Sequence, residues 1–294
     1  MTQIRASAPV WRVRGRAISL DRPVIFGIIN VTPDSFSDGG KFFSVDSAVA
    51  QAERLVGEGA DGLDVGGEST RPQGATEVDA AEELRRVLPV VRELRRRQPD
   101  TLLSLDTVKA AVAAAGLSEG VDVVNDVSGL RLNVDMATVC AAAGAGLILM
   151  HSRGGVSDMA TYRHAEYGGD VTGEVIAELQ EAVGRAEAAG VAAGAIALDP
   201  GIGFSKRSEH SLRVVAELDR VVALGFPVMV GVSRKRFIGE ITGVSVPSER
   251  VSGSVGANLM ALVRGARLFR VHDVRPTRHA LDVAWAVARA GSQP

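Results

Sequence analysis

Three oxygen-bearing side chains, Asp106, Asn125 and Asp199, each stand at the end of a short apolar run, in "LLSLDT", "DVVNDV" and "IALDPG". Carboxylates and carboxamide oxygens accept hydrogen bonds, and a carboxylate can accept two at once from an amidine-like or guanidine-like pair. Together they suit the N–H-rich edge of a ring. Cations collect elsewhere: "SRKR" gives Arg234, Lys235 and Arg236, and "RVHD" sets Arg270 and His272 two residues apart. Residues two apart lie on one side of a strand, so that pair suits phosphate. Asn30 ends the run "VIFGIIN", Asp64 precedes "GGESTRP", and Asp126, His151 and Ser233 close further runs. An Asp or Asn at a strand end is as often a cap for the next helix as a ligand. Asp64, Asp126 and His151 therefore read as residues that orient loops and neighbours, and Asp106, Asn125 and Asp199 as the candidates for one ligand.

The elements that must position these groups are legible in the apolar pattern. Eight runs rich in Val, Ile and Leu begin at Val24, Asp61, Leu102, Asp122, Leu147, Ile196, Val228 and Ala266, and their near-continuous apolar character is that of buried parallel strands. Segments with helical spacing lie between them. "DSAVAQAERLVGEGA" places Val49, Ala52, Leu55 and Val56 on one stripe behind Asp46 and Ser47 as capping residues. "AAEELRRVLPVVRELRRR", "VTGEVIAELQEAVGRAEAAG" and "SEHSLRVVAELDRVVALG" read as helices too, the last with Leu212, Val215, Leu218, Val221 and Val222 as its stripe. Eight strand-then-helix units in about 270 residues are the arithmetic of a single (β/α)8 barrel, with chemistry collected at the C-terminal ends of the strands. An open doubly wound sheet fits less well, because no G-x-G-x-x-G turn follows the first strand. The first 20 residues, with "WRVRGRAISL", are expected to form a short hairpin closing the barrel bottom.

Composition narrows the class of protein. The 294 residues are 46% hydrophobic and 23% charged, enough for one large core, and the net charge of -2 points to no nucleic-acid or membrane-surface partner. The densest basic stretch, Arg92 to Gln98, falls at the end of a helical pattern, where cations favour the helix dipole. One cysteine, Cys140, excludes an internal disulfide and is expected in the core. No signal-peptide or membrane-spanning pattern is found, so a cytoplasmic location is expected.

Seven stretches, "NVTPDSFSDGG", "DVGGESTRP", "SLDT", "NDVSG", "DPGIGF", "GVSRKRFIG" and "RVHDV", resemble in order the motifs of the dihydropteroate synthase family, over nearly the whole chain. The resemblance implies a TIM-barrel homodimer that joins 6-hydroxymethyl-7,8-dihydropterin diphosphate to 4-aminobenzoate, releasing diphosphate and forming 7,8-dihydropteroate in folate biosynthesis. Sulfonamides, which mimic 4-aminobenzoate, are implied inhibitors. Carried over by position, Asp106, Asn125 and Asp199 would hold the pterin ring with Lys235 beside them, and Thr70 would contact the pterin diphosphate. Arg270 and His272 would bind the diphosphate, and Asn30 would help hold Mg2+. Phe36, Arg71, Pro72, Phe204, Lys235 and the backbone around Arg236 would form the 4-aminobenzoate site, and Asp38 would organise the reacting centre. The polar first loop then reads as a cover over the mouth, with "ESTRPQG" as its companion. Two positions depart from the family pattern: Gln73 stands between Pro72 and Gly74, and Arg236 replaces a common Ser. A methyltetrahydrofolate-corrinoid methyltransferase would share the pterin acceptors but has no use for the Lys235, Arg270 and His272 cluster. A catalytically silent pterin-binding paralogue would keep the ring contacts without the reaction.

Overall fold

The alternation of apolar runs and helical segments is realised as a ring of parallel strands inside a ring of helices. The computed structural model describes residues 10–32, 45–69 and 77–291. An N-terminal hairpin, β1 (Val10–Val13) and β2 (Arg16–Ser19), precedes the barrel strands β3 (Val24–Asn30), β4 (Gly62–Gly66), β5 (Leu102–Asp106), β6 (Val123–Asp126), β7 (Gly146–Met150), β8 (Ile196–Asp199), β9 (Met229–Val230) and β10 (Leu268–Val271). The eight run in the order β8-β7-β6-β5-β4-β3-β10-β9. The ends of that order meet through one parallel bridge, Leu198 with Val228, and the Leu198 N–H donates to Pro227 O at 2.9 Å. All eight apolar runs are therefore strands. Most strand residues are buried, because one face lines the interior and the other lies under helices, so the sequence shows runs rather than alternation.

The helices are α1 (Val45–Gly57), α2 (Ala80–Arg97), α3 (Ala110–Ser118), α4 (Asp135–Ala143), α5 (Val171–Ala188), α6 (Ser208–Ala216), α7 (Leu218–Val222), α8 (Arg236–Thr242), α9 (Val251–Val263) and α10 (Val274–Ala290). Their apolar stripes and the outer faces of the strands form the larger core, which includes Cys140, fully buried as expected. In α1 the Asp46 carboxylate lies in the first described turn, where it faces the positive end of the dipole. One detail differs from the sequence expectation. The segment from Ser208 to Gly225 breaks at Glu217 into α6 and α7, and its buried stripe runs through Val214, Val215, Leu218 and Val221, leaving Leu212 exposed. The basic end of α2 is solvated and paired, Arg96 and Arg97 with Glu93 and Arg92 with Glu119, while Arg95 bends inward to Gly120 O and Asp122.

A second, smaller core fills the barrel where the strands begin. Val24, Phe26, Leu102, Val123, Ile148, Ala197, Met229 and Leu268 pack there against Trp11, Val13 and Leu20. Trp11 is fully buried, donates its indole N–H to Ala195 O at 2.9 Å, and meets Phe26 edge-on with ring centres 6.3 Å apart. The hairpin therefore plugs this end, as expected from "WRVRGRAISL". Its two-residue turn needs positive φ at both positions, and Arg14 (φ 46°) and Gly15 (φ 76°) supply it. Arg14 then anchors the turn by donating to Leu117 O and Val121 O at 2.8 and 2.7 Å.

Candidate active site

Strands that are not neighbours can exchange side-chain contacts only through the barrel interior, and above the apolar plug polar groups do so. Asp64 on β4 accepts at Oδ2 from Asn125 Nδ2 on β6 (3.1 Å) and from Arg270 Nε on β10 (2.5 Å). Arg270 Nη2 also donates to Asp106 Oδ2 on β5 at 2.8 Å. Asp199, at the end of β8, accepts the Gly201 N–H at Oδ1 (2.7 Å). Asn30 ends β3, opposite Gly66 in register. Lys235, beyond β9, places its ammonium 3.9 Å from the centre of the Phe204 ring. The period of two explains the set. In each strand the polar residue has the same parity as the apolar residue that faces the plug, Asp106 with Leu102, Asn125 with Val123, Asp199 with Ala197 and Arg270 with Leu268.

Burial sets the protonation chemistry of this group. The Asp199 carboxyl is pushed up to about 6 by burial, against the pull of the Gly201 N–H, Lys235 and Arg270. Burial also raises the Asp106 carboxyl, with Arg270 opposing and Asp64 adding to the rise. The Lys235 ammonium is lowered to about 8 by burial and by Arg270, while Asp199 and Asp106 resist. Burial would lower Arg270 too, but Asp64 and Asp106 overcome it and hold the guanidinium charged. The mouth therefore carries acceptors on one side and fixed positive charge across its floor.

The three basic residues after β9 part company. Lys235 turns inward; Arg234 pairs with Asp273 through two bonds of 2.9 and 2.6 Å; Arg236 lies 4.4 Å over the Tyr162 ring at the start of α8. His272 exchanges contacts with Ser233 Oγ, 3.0 Å from its Nδ1 and 3.2 Å from its backbone N. A cavity of about 480 Å3 opens beside it, lined by Arg54, Glu58, Arg234, Asp273 and Arg275. Arg54 pairs with Glu58, so that cavity offers less uncompensated charge than its arginines suggest. Thr70, Arg71, Pro72 and Gln73 of the second loop, and Phe36 and Asp38 of the first, lie outside the described residues.

Asp126 and His151 do orient neighbours, as expected. Asp126 accepts from Ser128 N, Ser128 Oγ and Leu130 N, bracing the loop after β6. His151, behind β7, is lowered to about 4 by burial and so stays neutral, and it takes a 2.8 Å contact at Nδ1 from Lys206. Sequence reasoning missed Lys206: fully buried and lowered to about 7 by burial, it also donates to Gly201 O and Phe204 O, holding the loop that carries Phe204. Asp64, read with Asp126 and His151 as a residue that orients loops and neighbours, does the second: its bonds are to the side chains of Asn125 and Arg270. It has the inward parity of its strand but lies two residues short of the strand's end.

The described residues hold no group of three or more His, Cys, Asp or Glu placed to bind a metal ion. Asn30 alone supplies one half-buried amide oxygen at the mouth. That suits Mg2+ only as an ion completed by phosphate oxygens and water, which is how Mg2+ is commonly held.

A family profile described as pterin binding enzyme matches residues 26–272. The chain belongs to that family. Among pterin-binding enzymes, the dihydropteroate synthase of Mycobacterium leprae is 42% identical over 281 residues, 94% of this chain and 97% of that one. The structure of Xanthomonas albilineans dihydropteroate synthase with 4-aminobenzoic acid matches with a TM-score of 0.89 at 45% identity, covering 98% of this chain and 100% of that one. The same organism's enzyme in complex with 7,8-dihydropteroate matches at 0.85 and 42%, covering 97% and 100%. This pterin-binding enzyme thus shares its barrel architecture with those structures along nearly the whole chain.

Proposed function

We propose that this pterin-binding enzyme is a dihydropteroate synthase, condensing 6-hydroxymethyl-7,8-dihydropterin diphosphate with 4-aminobenzoate. The observation that carries the reading is the convergence of Asp64, Asp106, Asn125 and Arg270 in one barrel mouth, with Asp199 and Lys235 at its rim. The near full-length likeness to synthases that bind 4-aminobenzoic acid and 7,8-dihydropteroate supports it. Asp106, Asn125 and Asp199 accept the N–H edge of the pterin, and Lys235 stands where ring and amine meet. The amine's benzoate is held on the other side by Phe204, the first-turn N–H groups of α8 at Arg236, and Phe36, Arg71 and Pro72. Thr70, Arg270 and His272 take the diphosphate.

Breaking a methylene C–O bond to release diphosphate asks for charge where charge develops. Arg270 and His272 answer the leaving group. Asn30 would hold Mg2+ against the diphosphate oxygens, and when bound the ion neutralises part of their charge. The dihydropterin ring delocalises the positive charge left on carbon, so departure precedes attack, and Asp38 with the buried carboxylates stabilises that cation. An aromatic amine is unprotonated at neutral pH and needs no base before attack. Positioning is then the main requirement, and no nucleophile-base pair is needed.

We also propose a homodimer. Met260 and Val263 on α9, and Val283 and Val287 on the adjacent α10, are all more than half exposed, which is costly unless a partner covers them. The test of function is product formation by the purified protein given both substrates, with and without Mg2+, following dihydropteroate and diphosphate. Equal amounts of the two, dependent on Mg2+, are expected. Pterin binding without product would turn the reading to the silent paralogue, and methyl transfer to a corrinoid protein would turn it to the methyltransferase.

A further inference from the structure

Asp64 differs from Asp126 and Asp199 in what it bonds, and from Asp106 in holding two partners rather than one. Asp126 accepts from two backbone N–H groups and Asp199 from one, so both brace loops. Asp64 is 1% exposed, its Oδ1 has no hydrogen-bond partner among the described residues, and its Oδ2 accepts only from the side chains of Asn125 and Arg270. Both of those are groups assigned above to the substrate.

We infer that Asp64 is the positioning residue that decides which chemistry Asn125 and Arg270 present to the pterin, an inference that rests on the proposed function. A carboxamide is ambiguous, with an acceptor on one side and a donor on the other. Committing Nδ2 of Asn125 to Asp64 leaves Oδ1 as the atom turned to a ligand, which suits a ring edge of N–H donors. With the amide reversed, its NH2 would face those donors and the buried pair would repel. For Arg270, Nε on Asp64 and Nη2 on Asp106 fix two edges of the guanidinium, so its plane is set across the floor. One oxygen thereby determines the polarity of the ring contact at Asn125 and the reach of the diphosphate contact at Arg270. None of this bears on the 4-aminobenzoate side, where Lys235 and Phe204 lie across the mouth on the loops after β9 and β8.

Asp64→Asn keeps the volume and removes the charge. The expected result is a KM for the pterin diphosphate raised roughly 10- to 100-fold, the scale of a buried polar group left mispaired, with the KM for 4-aminobenzoate within about twofold and circular dichroism unchanged, while the thermal midpoint falls because Arg270 keeps only Asp106 as a buried partner. Asp64→Asn combined with Asn125→Asp exchanges acid and amide across the same contact. It should recover several-fold of the lost pterin KM, because the carboxylate now on β6 can accept from the amide now on β4 and still offer an oxygen to the ring. An unchanged pterin KM in Asp64→Asn, equal losses for both substrates, or a double variant no better than the single would overturn the inference. Titration of 6-hydroxymethylpterin into the wild-type protein separates the two levels: no binding there overturns the proposed function and this inference with it.

Discussion

Lys235 and Asp199 are held on opposite sides of neutrality by the same burial, and that sets a pH window for the chemistry. The acceptor must be ionised and the ammonium protonated at once. We expect kcat/KM to rise between about pH 6 and 7, where Asp199 and then Asp106 ionise, and to fall past about 8, where Lys235 loses its proton. In Lys235→Arg the charge persists above pH 8, so whatever activity remains should lose its alkaline limb; a limb unchanged in that variant would exclude Lys235 as its source. Asp199 also has a stability consequence. Its carboxyl is raised to about 6 in the folded chain against 3.8 for the free group, so the folded state resists ionisation. Above pH 6 the buried charge costs about 3 kcal/mol, a cost that disappears below the unfolded value. Asp199→Asn should therefore raise the thermal midpoint at about pH 7.5 by a few degrees, give little gain at about pH 4, and abolish turnover; melts at the two pH values check the sign. Asp106, Asn125, Asp199, Lys235 and Arg270 were legible because each stands near a strand end, where a barrel gathers its chemistry. Asp64 was legible as an orienting residue, though which neighbours it holds was visible only once β4, β6 and β10 were seen to face one interior, and Lys206 was not legible because it lies in a loop among ordinary polar residues.

At the scale of elements, the strands were easier to read than the helices. Burial on both faces leaves a parallel strand no choice but an apolar run, and all eight runs are strands. A helix end depends on one or two dihedral angles, which is why the break at Glu217 passed unseen through an unbroken stripe. The hairpin was legible as a possibility, but its burial was visible only when Trp11 was seen inside the barrel. Trp11→Ala should destabilise the fold by about 3–5 kcal/mol, the usual cost of removing a buried aromatic, while the folded fraction keeps its KM values. Urea unfolding together with kinetics would separate the two effects, and a variant of wild-type stability would mean the plug contributes nothing to the fold. The loop after β8 makes the opposite demand. Gly201 sits at φ +66°, and a Cβ there would lie 1.8 Å from His151 O, so Gly201→Ala should displace Asp199 and Phe204 together and raise KM for both substrates.

At the scale of the whole molecule, charge and hydropathy pointed to no nucleic-acid or membrane-surface partner and said nothing of where a dimer would meet. The exposed pairs on α9 and α10 are the surface on which the proposed dimer rests. On the proposed dimer, Val283→Glu with Val287→Glu should halve the mass found by light scattering with circular dichroism unchanged; an unchanged mass would take the interface off these helices. The barrel itself is not equally strong all round. Between β8 and β9 the described residues join through one bridge, Leu198 with Val228. Asp199 ends one of those strands and Lys235 follows the other, so the weakest hoop of the wall runs between the acid and the ammonium. A wall opens first where it has fewest bonds to break, and amide protons on β9 should exchange with solvent faster than those on β4 or β5. A pterin gripped from both sides would act as a clasp across that seam, slowing exchange there more than anywhere else in the wall.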